Sequence, residues 1–173
     1  MTVQVLYKNS TFKKSQANLV LFTDENFNIS PLKKHISEAE FSYIKDLLKT
    51  SDLKKNLSFF KINSTKKIVL VSVKNNLETS DIENLGAEFY GHINHEKKSE
   101  FFVNPDSISS KYENFIGYFL HGLKLKSYEF NIYKSKIDKK TITINVIGSK
   151  NKLTTKNELR FKAIEEGTFF ARD

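Results

Sequence analysis

No cysteine occurs in the 173 residues, which excludes disulfide frameworks, thiolate metal sites and a cysteine nucleophile together. That absence suits a reducing compartment, and we read the chain as cytoplasmic. Glycine is scarce too: there are six, none within three positions of another, so a backbone cradle for phosphate cannot be assembled locally. This counts against nucleotide or ADP-ribose binding through such a loop. Arginine is scarcer still, since all but two of the 28 basic residues are lysine, the exceptions being Arg160 and Arg172. A reader of bases or phosphates would use the planar guanidinium fork. The net charge of +8 is therefore read mainly as a consequence of a lysine-, asparagine- and isoleucine-rich composition, with DNA kept only as an alternative partner. Nowhere do eighteen apolar residues run together, and MTVQVLYKN has no basic segment followed by an apolar one. The expectation is neither export nor a membrane span.

Catalytic signatures are equally sparse. His92, Asn94, His95 and Glu96 form H-x-x-H-E, which matches neither zinc-protease order because the glutamate lies outside the ligand pair. His92 and His95 are expected on the polar side of a helix end. His35 and His121 stand alone, there is no G-x-S-x-G elbow, and no catalytic, cofactor-binding or metal-ligating residue is assigned.

What remains is a globular pattern, with 39% hydrophobic and 13% aromatic residues in a length that suits one domain. Val3, Val5 and Tyr7 alternate as in a strand, and Asn18 to Thr23 is a more buried one. Ser30 with Pro31 marks a helix start, and Ser37 with Glu40 is a capping box for a helix to about Lys49. Leu57 to Ile62 and Lys67 to Val73 read as paired strands, the second one central. Ser80 with Glu83 predicts another capped helix with the stripe Ile82, Leu85, Gly86, Phe89 and Ile93, ending near His95. Glu100 to Val103 is a short strand. Ile108, Tyr112, Phe115, Ile116, Phe119, Leu120 and Leu123 then share one helical face, in which Gly117 and Gly122 are expected to admit another backbone. Tyr128, Phe130 and Ile132 alternate with polar residues beyond it. Thr141 to Ile147 is a β-branched strand, and a final helix, capped by Thr155 with Glu158, is expected to bury Leu159, Ala163, Ile164, Gly167 and Phe170. Strands alternating with helices predict an α/β fold with a mixed sheet and helices on both faces.

Gly122, Leu123, Leu125, Tyr128, Phe130, Tyr133, Lys134, Ser135 and Lys136 follow the order G-L-x-L-x-x-Y-x-F-x-x-Y-K-S-K. Ala163, Ile164, Glu166, Gly167, Ala171, Arg172 and Asp173 follow A-I-x-E-G-x-x-x-A-R-D. The pair, with a strand-like run between, resembles the end of the N-terminal domain in the leucyl (cytosol) aminopeptidase family. Lys126 stands where relatives usually have a small residue, and Phe169 and Phe170 replace smaller or aliphatic ones.

The resemblance covers nearly the whole chain. It implies a three-layer α/β/α, macro-domain-like fold, a single non-catalytic N-terminal domain over 1–173, and a helix over 155–173 leading toward a C-terminal catalytic domain. It further implies a metallo-exopeptidase whose two divalent ions, Zn or Mn, are held by carboxylates and lysines of that other domain. This domain would serve hexamer assembly and active-site access. The alternative is a binding module for nucleic acid or an ADP-ribose-like nucleotide. Phe161 and Phe169, off the expected inner stripe, are predicted to face the catalytic domain or a neighbouring copy.

Overall fold

The structure, a computed structural model, describes residues 2–8, 18–52, 55–95, 98–108, 114–128, 141–148 and 155–172. Six strands form one mixed sheet: β1 (Thr2–Tyr7), β2 (Asn18–Asp24), β3 (Leu57–Lys61), β4 (Lys67–Val73), β5 (Lys98–Val103) and β6 (Thr141–Val146). Their order across the sheet is β1-β6-β5-β2-β4-β3, and every neighbouring pair is parallel except β3 with β4. Continuous apolar runs make β2 and β4 inner strands, because a parallel strand is covered on both faces. Val20 of β2 accordingly lies opposite Val69 on one side and Val103 on the other.

Helices cover both faces, giving the α/β layering that the alternation of strands and helices predicts. On one face, helix α1 (Glu38–Leu48) and a 3₁₀ turn (Ser30–Lys34) pack Leu32, Ile36 and Ile44 on Leu19, Leu21, Ile68 and Leu70. The capping box of α1 is present as expected: Glu40 N–H donates to Ser37 Oγ, and Ser37 N–H to Glu40 Oε2. On the other face, α2 (Thr79–Ile93) and α3 (Phe115–Ser127) pack Ile82, Phe89, Phe115 and Phe119 on Phe22 and Phe101. Edge-to-face contacts of Phe22 with Phe115 at 5.2 Å and Phe119 at 5.4 Å knit sheet to helix. Helix α4 (Thr155–Arg172) lies beside α3.

Helices α2 and α3 touch backbone to backbone. A Cβ added at Gly86 would fall on the carbonyl oxygen of Phe119, and one at Gly122 on that of Glu83. The expected role of Gly122 is met, and Gly86 answers it from the facing helix.

Several boundaries differ from the sequence reading. Ile108 does not open α3; it ends a 3₁₀ turn, Pro105–Ser107, in extended backbone, and α3 starts after Asn114 in the left-handed region at φ 58°. The N-cap of α2 is Glu78, paired with Asp81, rather than Ser80 with Glu83. Thr155 is already helical in α4, so it is not the cap. Tyr112, Phe130, Ile132, Tyr133 to Lys136 and Asp173 lie outside the described residues.

Candidate functional site

In an open parallel sheet, ligands enter where successive crossovers leave neighbouring strands in opposite directions. Here that point lies between β2, whose chain continues toward β4, and β5, whose chain continues toward β6. The two strands pair only over Asn18–Val20 and Phe101–Val103. Beyond that, the turn after β5 bridges them. Asn104 N–H donates to the Val20 carbonyl at 3.0 Å, Phe22 N–H donates to Ser107 Oγ at 2.9 Å, and Ser107 Oγ–H donates back to the Asn104 carbonyl at 2.7 Å. Asn104, 6% exposed, also meets His35 through its amide nitrogen at 3.1 Å. These bonds give the switch point a structural splint.

A cleft of about 370 Å3 opens beside the carboxyl end of β4, lined by Asn56, Lys74, Asn76, Asp81, Asn84 and Glu88 among others. Much of its polarity is already used. Asn56 Nδ2 donates to Glu88 Oε2 at 3.2 Å, and Asp81 Oδ2 accepts the Glu78 N–H at 2.9 Å to cap α2.

The histidines separate into two kinds. His92 is exposed at the end of α2 with its ring 5.0 Å from that of Phe59, and His95 is exposed just beyond, both on the polar side as expected. Glu96 lies outside the described residues. Among the described residues, no group of three His, Asp or Glu could hold a metal ion. They therefore do not fit a two-metal centre, and no step of peptide hydrolysis is assigned to them. His121, read from sequence as isolated, is 4% exposed and meets Glu165 of α4, Nδ1 to Oε1, at 3.0 Å. Lys124 donates to the other carboxylate oxygen at 3.1 Å. Tyr7 of β1 is half exposed at this corner. Partial burial, and then the carboxylates of Glu158 and Glu165, push its phenol up to about 12.

Helix α4 itself corrects the sequence reading most. Its buried residues are Phe161 and Glu165. The Phe161 ring sits 5.1 Å from Tyr118 and 4.9 Å from His121, so it faces the domain and not a partner. Phe169 is half-buried and stacks on Tyr128 at 5.1 Å. The stripe expected inside faces out instead: Leu159 is 62% exposed, Ile164 43% and Phe170 85%, with Ala163 and Gly167 exposed between them. An outward apolar stripe on an otherwise charged helix is the feature of this surface that most calls for a partner.

No family model matches the chain, and no curated protein matches it. Solved structures do. A mutant leucine aminopeptidase from tomato superposes with a TM-score of 0.63 at 14% identity, over 96% of this chain and 36% of that one. Cytosol aminopeptidase from Coxiella burnetii gives 0.52 at 15% identity, over 94% of this chain and 31% of that one. The macrodomain of Thermus aquaticus DarG gives 0.53 at 7% identity, over 86% of this chain and all of that one. The architecture is thus a macrodomain-like α/β/α fold. More particularly, nearly the whole chain is similar to the N-terminal domain of leucine aminopeptidases, and it spans about a third of their length.

Proposed function

We propose that this chain is the non-catalytic N-terminal domain of a leucyl-aminopeptidase-type metallo-exopeptidase, and that it serves oligomer assembly and access to the active sites. The observation that carries this reading is the coverage: 94–96% of this chain lies on an N-terminal third of chains named as aminopeptidases. The outward stripe of α4 supports it, because a protein partner is the natural cover for exposed leucine, isoleucine and phenylalanine. In this reading two divalent ions, Zn or Mn, would be held by the C-terminal catalytic domain and would supply Lewis-acid chemistry there, with no residue of this chain as a ligand. On the same reading the protein acts in the cytoplasm, in keeping with its likeness to a chain named cytosol aminopeptidase. Among the described residues no helix is long and apolar enough to cross a membrane.

A second reading, a nucleotide- or nucleic-acid-binding module, is favoured by the likeness to the whole DarG macrodomain. One set of assays separates the two. The purified 173-residue chain should not hydrolyse leucine anilide with manganese, zinc or cobalt, should give no heat with ADP-ribose, and should lose duplex DNA between low and physiological salt. Hydrolysis that disappears when a residue of this chain is changed would overturn the proposal. Saturable ADP-ribose binding, or submicromolar DNA binding with sequence preference at physiological salt, would replace it with the second reading.

A further inference from the structure

Helix α4 has two apolar stripes on opposite sides, and only one of them meets its own domain. Phe161, Glu165 and Phe169 face inward. Leu159, Ala163, Gly167 and Phe170 follow one another at helical spacings of four, four and three on the opposite side, with Ile164 at its margin. A Cβ added at Gly167 would have nothing within 4 Å, so the middle of this stripe is open space. Lys162 and Glu166 flank it, with 3.9 Å between their charged atoms and both side chains about two-thirds exposed.

We propose that α4 pairs antiparallel with α4 of a second copy of this chain, through a two-fold axis beside Ile164. This inference rests on the assembly role proposed above and names its surface. The stripe is self-complementary in that register. Leu159 lies against Phe170 of the partner subunit and the reverse, so a branched aliphatic meets a ring at each end. Ala163 lies against Gly167 of the partner subunit, so the two smallest residues meet where the helices are closest, which sets how near the axes come. Along one flank, Lys162 faces Glu166 of the partner subunit, and Glu166 faces Lys162 of the partner subunit. Opposite charges therefore meet on both sides of the axis, as an isologous contact requires. In a parallel pairing each charge would meet its own kind, and Leu159 and Phe170 would each face themselves.

Sedimentation equilibrium of the 173-residue chain, over roughly the micromolar to millimolar range, tests this. The mass should rise from monomer to dimer with concentration. Phe170→Lys and Leu159→Lys should each abolish the rise while leaving the circular dichroism spectrum unchanged, since both side chains are exposed in the monomer. Lys162→Glu alone should weaken association about tenfold by placing like charges together. Adding Glu166→Lys to it should restore association. A chain that stays monomeric throughout, or a dimer indifferent to these four changes, overturns the proposal. Neither result alters the hydrolysis and ligand assays, so its failure remains distinct from failure of the functional reading.

Discussion

The imidazole of His121 on α3 and the carboxylate of Glu165 on α4 meet at 3.0 Å with both side chains buried, although 44 positions separate them. The carboxylate can only accept, so His121 Nδ1 carries the proton it donates. Lys124 adds a second donor, and Phe161 lies one turn earlier on the same side of α4. These contacts, with the Phe169 stack on Tyr128, hold an otherwise exposed 18-residue helix to the domain.

Removing that fastening should loosen α4 before the rest. Glu165→Ala leaves a buried imidazole nitrogen without its acceptor, at a cost of about 1 to 3 kcal/mol. Phe161→Ala opens a gap between Tyr118 and His121 and should cost about 3 kcal/mol. Amide hydrogen exchange is the measurement: α4 should lose protection in both variants while β2 and β4 keep theirs. Equal loss across the sheet would contradict the separate fastening of α4.

The close approach of α2 and α3 leads to a different outcome. Gly86→Ala or Gly122→Ala must push a methyl group onto a carbonyl oxygen of the other helix, and backbone cannot swing aside as a flexible side chain does. Each should lower stability by about 3 kcal/mol or more. Gly167→Ala should instead be neutral or slightly stabilising in the monomer, because its Cβ meets open space and alanine is the better helix former. Urea unfolding midpoints of the three variants would show whether the glycines divide this way.

Glu40 ties pH to stability on the opposite face. It caps α1 and pairs with Lys66, whose ammonium is almost wholly buried. Burial pushes the Glu40 carboxyl up, but hydrogen bonds from Lys66 and Ser37 outweigh it and hold the group below its ordinary 4.5. A carboxyl with a depressed folded pKa stabilises above its unfolded value and loses that contribution as pH falls through the folded one. The urea midpoint should therefore drop as the pH falls below the group's ordinary 4.5, and Glu40→Gln should flatten that part of the drop. An unchanged pH profile in the variant would contradict the assignment.

The parts of the fold that were legible in the sequence are those whose cause is local. Asn18–Asp24 and Lys67–Val73 carry unbroken apolar runs and are inner strands; Ile82, Leu85, Gly86, Phe89 and Ile93 of α2 are all buried, as their spacing predicts. The Ser37–Glu40 box works because both partners lie within one turn. Glu78 with Asp81 has the same spacing two residues before Ser80 with Glu83, and glutamate is not a favoured cap, so the wrong pair looked better. Helix α4 is ambiguous in sequence because two apolar stripes on opposite sides leave periodicity without a preferred direction. The inner one includes a glutamate whose burial depends on His121 and Lys124, partners that spacing along the chain cannot reveal. The same ambiguity hides the outward surface, because spacing alone makes Leu159 and Phe170 look like core and Phe161 like a partner-facing ring.

The measurement that bears most directly on the aminopeptidase reading is immunocapture from the source cells with an antibody against the α1 surface, followed by leucine anilide hydrolysis with and without a chelator. The account predicts that the captured protein hydrolyses the substrate, that chelation stops it and added divalent metal restores it, and that the purified 173-residue chain is inactive under the same conditions. Captured protein with no such hydrolysis, or a 173-residue chain whose own activity vanishes when one of its residues is changed, would contradict it.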